Sequence, residues 1–193
     1  MNRIITISRE FGSGGRTIGK KAAAQLGIPC YDAELISKIA EKSGFTENYV
    51  KRNHDGNSDQ GWFRGMFGGR DYYGETNQDY LWKIQRQVIL ELAQKESCVI
   101  VGRCADYILA DKADLLKVFV HAPLEFRANH IVKAYGENAE DPVRRIKDKD
   151  KKRRSYYQFY TDIEWGKAVN YDLCLNSGTL GIDRCAQIVA SLY

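Results

Sequence analysis

The chain is expected to adopt an α/β layered fold on a parallel sheet, because short apolar runs alternate with helical patterns along most of its 193 residues. The runs at 3–7, 28–31, 98–101, 115–121 and 173–175 include several that are apolar at consecutive positions, as strands buried on both faces are. A glycine-rich turn joins the first run to the first helical pattern. In sheets of this kind ligands gather at the carboxyl ends of the strands.

Taken in order, Ile4, Ile5, Thr6 and Ile7 form a β-branched opening strand, and helical spacing follows over about 15–26 and 33–43. Residues 53–74 break the pattern with six glycines, Asn/Asp clusters and scattered aromatics, and read as a long insertion between helices. Helical spacing resumes over 75–95, 103–110, 124–135, 140–160 and 181–192, each after or between strand runs, which implies right-handed crossovers. The length suits one domain with a subdomain insertion.

Hydrophobic residues make up 44% and charged residues 28%, the balance of a soluble globular protein. A net charge of +4 fits a protein that handles anions without requiring nucleic acid. The five cysteines lack C-x-x-C or metal spacing, so reduced thiols in the cytoplasm are expected, with Cys30, Cys98 and Cys174 as core filler. The chain opens on a strand and not on a signal pattern, and no apolar run approaches the roughly 20 residues of a membrane span.

The segment Gly12-Ser13-Gly14-Gly15-Arg16-Thr17 carries the clearest chemistry. Backbone N–H groups approach an anion only where side chains are absent, and a helix N-terminus adds partial positive charge. In the phosphate-loop pattern G-x-x-x-x-G-K-[ST] a lysine precedes the hydroxyl; here Arg16 precedes Thr17. These residues are expected to hold nucleotide phosphates, Arg16 to supply charge as a fork, and the Thr17 hydroxyl to ligate Mg²⁺. The bland alternative is a tight strand-to-helix turn.

Three further stations follow. Gly102-Arg103 lies just past a buried strand, where an arginine reaches the crevice to grip a substrate phosphate, or pairs with Asp106 at a helix start. Asp32 either caps a helix at Ala33 or contacts the acceptor. The run 144–154, RRIKDKDKKRR, places Arg145, Lys149 and Lys152 on one helical face, with Asp148 and Asp150 spaced to pair with Lys152 and Arg154. It reads as a solvated ion-paired face, as a nucleic-acid contact, or as a cationic lid over a triphosphate. His54, His121 and His130 show no partner pattern, and Tyr156, Tyr157, Phe159 and Tyr160 read as core or lid packing.

These segments together resemble the cytidylate kinase-like family of P-loop proteins. ITISREFGSGGRTIGKKAAAQLG is similar to its opening strand, loop and helix; IPCYDAELI, VIVGRCADYIL, KVFVHAPLEFRANHI, IKDKDKKRRSYYQFYT and NYDLCLNSGTLGID follow in the family's order. Only about 45–97 is loosely matched. Aligned on the final threonine, Gly15 takes the place of the lysine in bacterial cytidylate kinases, and Cys104 stands where they carry an aspartate.

The resemblance implies a three-layer P-loop fold with a parallel sheet of about five strands, an acceptor insertion at about 33–97 and a lid at about 137–160. It implies ATP- and Mg²⁺-dependent phosphoryl transfer to a nucleoside monophosphate, most readily CMP or dCMP. Asp32, Arg103 and Arg127 would bind the acceptor, and Lys149, Lys152 and Arg154 would join Arg16 in catalysis. Small-molecule nucleotides are the expected partners, with no nucleic acid and no membrane. A nucleotide-binding sensor and a kinase of a non-nucleotide acceptor are the alternatives.

Overall fold

A computed structural model of the protein describes residues 2–55, 76–135 and 141–193. Five strands, β1 (Arg3–Arg9), β2 (Cys30–Tyr31), β3 (Cys98–Val101), β4 (Asp114–His121) and β5 (Leu173–Asn176), form one sheet in the order β2-β3-β1-β4-β5. Every neighbouring pair is parallel. The order reverses beside β1, so β1 and its loop sit at the switch point where a crevice opens.

The helices are α1 (Gly15–Leu26), α2 (Ala33–Ser43), α3 (Glu47–Asp55), α4 (Asn77–Lys95), α5 (Ala105–Ile108), α6 (Leu124–Tyr135), α7 (Pro142–Thr161), α8 (Ser177–Leu180) and α9 (Ile182–Ser191). Among the described residues no helix is long and apolar enough to cross a membrane.

Alternation along β1 explains the layers. Ile4 faces a core made with Leu35, Ile39, Leu81, Ile89 and Ile100. Ile5 and Ile7 face the opposite core with Ile18, Ala22, Val99, Val118 and Val189. Both cores contain fully buried isoleucines, each contributing about 1.5–3 kcal/mol relative to exposure. A smaller aromatic cluster of Phe119, Tyr157, Trp165 and Tyr171 packs with Cys104 and ties α7 to the sheet. Gly19 lets α1 press on β1 and β3, since a Cβ there would lie 3.1 Å from both Ile7 Cδ1 and Val101 Cγ2.

Three expectations need correcting. The run at 28–31 yields a strand only over Cys30–Tyr31; Pro29 has no N–H to donate, although its carbonyl still accepts from Val99. Cys174 is exposed and not core filler, because β5 is an edge strand with Leu175 on its packed face; Cys30 is only half-buried. The helix Glu47–Asp55 begins where the sequence pattern assigned no element and runs into the start of the insertion read at 53–74, most of which lies outside the described residues.

Candidate nucleotide and acceptor site

The turn between β1 and α1 is built from main chain. Gly12 and Gly14 sit in the left-handed region at φ 81° and 77°, which glycine enters without a Cβ penalty. The helix begins at Gly15 with no side-chain cap on its N-terminus. Ile18 N–H donates to Gly14 O, but among the described residues no protein acceptor meets the N–H groups of Gly12, Gly14, Gly15, Arg16 or Thr17. Unsatisfied donors converging at a helix start suit an anion. Ser13 differs from its neighbours: it is fully buried, its hydroxyl donates to Glu10 O (2.9 Å), and its N–H turns back to the same carbonyl (3.3 Å).

Beside this loop lies a cleft lined by Arg9, Arg16, Asp32, Arg103, Arg153, Tyr156, Tyr157 and Trp165. Four guanidinium groups face a single carboxylate, so the cleft is strongly cationic. Arg16, second residue of α1, brings Nε within 2.5 Å of Asp32 Oδ2, and Asp32 is buried. Asp32 precedes α2, yet its side chain caps no backbone N–H there, so its carboxylate serves the cleft. Gly102 makes room for Arg9: a Cβ at Gly102 would overlap the Arg9 guanidinium, and a Cβ at Gly15 would lie 2.6 Å from Arg9 Cβ.

Three consecutive residues, Gly102, Arg103 and Cys104, have φ of 75°, 62° and 53°. For the two non-glycine residues this conformation costs of order 1–3 kcal/mol each. It turns the chain sharply after β3 and delivers Arg103 to the cleft. Gln85, fully buried on α4, holds the turn by donating to Arg103 O (3.0 Å). Beneath it, the Asp106 carboxylate accepts from Tyr157 OH (2.9 Å) and Ser8 Oγ (3.4 Å), and burial pushes its carboxyl above the usual range.

α7 approaches the loop from the other side. Asp150 accepts from Phe11 N–H (2.7 Å) and pairs with Arg127, which reaches across from α6. The intrahelical pairing of Asp150 with Arg154 expected from the sequence gives way to this tertiary pair. Arg153 donates to Arg9 O (2.9 Å), and Arg145 and Arg153 each lie within 6 Å of the Phe11 ring centroid. Burial at Ile146, Asp150 and Tyr157 shows that the inward face of α7 runs through Arg153. Lys149 and Lys152 are half-buried, Arg154 is exposed, and none of the three lines the cleft.

The structure thus brings Arg16, Asp32 and Arg103 together. It places Arg127 behind the loop, 8% exposed, with Asp150, Glu10 and Phe11 O as its partners. Arg9 and Arg153 were missed by sequence reasoning. The i, i+4, i+7 and i+11 spacing of Ile146, Asp150, Arg153 and Tyr157 is the signal that finds Arg153. Lys21 is paired with Asp183 on α9.

Comparison with known proteins bears on the family and the fold. Residues 4–179 match the model of the cytidylate kinase-like family. A cytidylate kinase of Archaeoglobus fulgidus is 30% identical over 190 residues, which cover 96% of this chain and 91% of the relative. One from Methanopyrus kandleri is 25% identical over 196 residues, with 96% and 90% covered. Among solved structures, an uncharacterized protein from Eubacterium ventriosum superposes with a TM-score of 0.72 at 27% identity, over 99% of this chain and 98% of that one. A shikimate kinase from Bacteroides thetaiotaomicron shares the fold, with a TM-score of 0.57 at 18% identity over 99% and 97% of the two chains. With the family match running over nearly its whole length, the chain belongs to the cytidylate kinase-like family and is a phosphotransferase enzyme, a kinase.

Proposed function

We propose that the protein transfers the terminal phosphoryl group of ATP, with Mg²⁺, to a nucleoside monophosphate, CMP or dCMP. One observation carries the donor half of this reading: the uncapped N–H groups of Gly14, Gly15, Arg16 and Thr17 open beside a cleft of four arginines. In this reading Gly12 to Thr17 hold the donor phosphates, although the Ser13 side chain is turned inward. Arg103 and Asp32 orient the acceptor.

A metal ion suits the residues present. The Thr17 hydroxyl is on the first turn of α1, exposed, and makes no hydrogen bond among the described residues. Magnesium keeps several waters and takes few protein ligands beside substrate phosphates. Among the described residues no group of three or more His, Cys, Asp or Glu could hold a metal ion by itself. When bound, the ion neutralises charge on the transferring group.

Loose phosphoryl-transfer transition states demand positioning and electrostatics more than covalent chemistry. Arg16 and Arg153 stand where they can supply both, with Lys149, Lys152 and Arg154 adding to the field of the lid. The cleft has a volume of about 70 Å³, enough for a few waters or one anionic group. In this reading α7, which carries Arg153 to the cleft, serves as the lid that excludes water after closure.

A second reading rests on Asp32. A buried carboxylate in the cleft can take the proton from a hydroxyl acceptor, a service that an already ionised phosphate acceptor does not need. The deciding experiment supplies ATP, Mg²⁺ and a panel of nucleoside monophosphates and small anionic alcohols, and measures ADP. ADP release that follows CMP or dCMP is the expected result. Release with an alcohol alone transfers the assignment to the second reading, and release with no acceptor removes both.

A further inference from the structure

The donor loop is fastened from behind at three successive carbonyls. Arg127 Nη1 donates to Phe11 O (3.3 Å), His130 Nδ1 lies 2.8 Å from Gly12 O, and Ser177 Oγ donates to Ser13 O (2.6 Å). The first two side chains come from α6 and the third from the start of α8. A carbonyl only accepts, so the His130 bond requires its proton on Nδ1.

A trans peptide is planar, and its C=O and the following N–H point in opposite directions. Pulling the carbonyls of Phe11 and Ser13 toward α6 and α8 therefore turns the N–H groups of Gly12 and Gly14 to the opposite side. Those two N–H groups are among the ones that meet no protein acceptor. The Gly12 carbonyl lies between them, and its peptide sends the Ser13 N–H back to Glu10 O, so His130 fixes the central peptide that joins the two outward-facing amides; its ring also approaches Gly14, where a Cβ would be 3.7 Å from His130 Cε1. The ring is only partly buried and stacks with Phe126, so its removal leaves no large core cavity.

We propose that His130 and Ser177, with Arg127, are positioning residues of the donor site, which set the loop's amides toward the phosphates without touching them. Cationic side chains alone do not organise a loop that lacks the usual lysine; the rear hydrogen bonds hold its peptide planes before any ligand arrives. The inference rests on the donor reading above and concerns binding of the phosphate chain, not the choice of acceptor.

The test compares His130→Ala, His130→Asn, His130→Asp and Ser177→Ala with the unaltered protein. Affinity is measured by calorimetry for ATP with Mg²⁺ and for inorganic pyrophosphate, and steady-state KM is measured for donor and acceptor. Losing one such hydrogen bond is expected to weaken both donor probes about tenfold, the scale of ~1.4 kcal/mol. The acceptor KM stays within about twofold on the same grounds. Asn carries an N–H donor close to the place of Nδ1 and restores most of the affinity; Asp, an acceptor, does not. His130→Ala or Ser177→Ala binding both probes as tightly as the unaltered protein, or His130→Asn losing as much as His130→Ala, overturns the proposal. Should His130→Ala not fold, Ser177→Ala and the Asn/Asp pair decide it. An unaltered protein that binds ATP yet releases no ADP with any acceptor defeats the catalytic reading and leaves this one standing; one that binds neither probe defeats both.

Discussion

The glycine-rich loop and the arginine cleft lie at the same edge of the sheet but are made of different material. The loop presents main-chain N–H groups, and its neighbours serve to hold its carbonyls. The cleft presents long charged side chains carried by β1, α1, α7 and the turn after β3, converging from distant parts of the chain. A main-chain site is rigid and indifferent to which side chains surround it, provided glycines keep them away. A side-chain site is adjustable, and under the proposed function its composition selects the acceptor. Damage to the first should therefore abolish nucleotide binding together with local stability, whereas damage to the second should alter turnover in a folded protein.

The largest effect is expected at Gly12. A Cβ there would lie 3.0 Å from Arg127 O, and φ is 81°. Strain and overpacking each cost about 1–3 kcal/mol, so Gly12→Val should lower the urea midpoint markedly and abolish ATP binding. Retained ATP affinity in a stable variant would break the contrast between the two regions. Next comes Arg103→Ala, expected to reduce kcat/KM for the acceptor by about 10- to 150-fold, the loss of about 1.5–3 kcal/mol of charged hydrogen bonding. ATP affinity by calorimetry should not change; a parallel loss there would merge the two sites.

Arg16 belongs to both regions, since it starts α1 and meets Asp32. Arg16→Ala should weaken ATP binding by about 1–3 kcal/mol, and unchanged affinity would assign its guanidinium to Asp32 alone. In α7, replacing Arg153 should lower kcat more than replacing Lys152, because only Arg153 lines the cleft. Equal effects in steady-state assays would return the role to the lysine.

The smallest effect concerns stability against pH. Burial raises the folded-state pKa of Asp106. Below the ordinary aspartate value both states hold the proton. As pH rises from that value, the unfolded state releases its proton first, so folding stability declines across a window extending upward from it. Asp106→Asn removes this slope, which melting curves of both proteins between about pH 4 and pH 7 would show. Identical pH dependence would mean that the bonds from Tyr157 and Ser8 outweigh burial.

Most of the fold was legible because its signals are local. Consecutive apolar residues marked Cys98–Val101, and helical spacing marked Gly15–Leu26, Ala33–Ser43 and Leu124–Tyr135 at their observed bounds. The donor loop was legible for the same reason, since its glycines adjoin one another in the chain. The cleft was half legible: Arg103 follows a glycine after a strand, whereas Arg9 resembles any strand-end cation until Gly15 and Gly102 are seen to clear space for it. Asp150 looked like part of an ion-paired surface run because i, i+4 spacing cannot show that Arg127 waits on another helix. His130 offered no partner pattern at all, since its partner is a carbonyl, and every residue has one.

By itself the sequence determined the alternation of strands and helices, the bare loop and the excess of cations, because each follows from the chemistry of neighbouring residues. Tertiary structure alone decided which cations face the crevice, which carboxylate fastens α7, and that the loop's carbonyls are held by α6 and α8. Those outcomes depend on contacts between residues up to 164 positions apart, such as Ser13 and Ser177, which only the assembled sheet and its crossovers bring together.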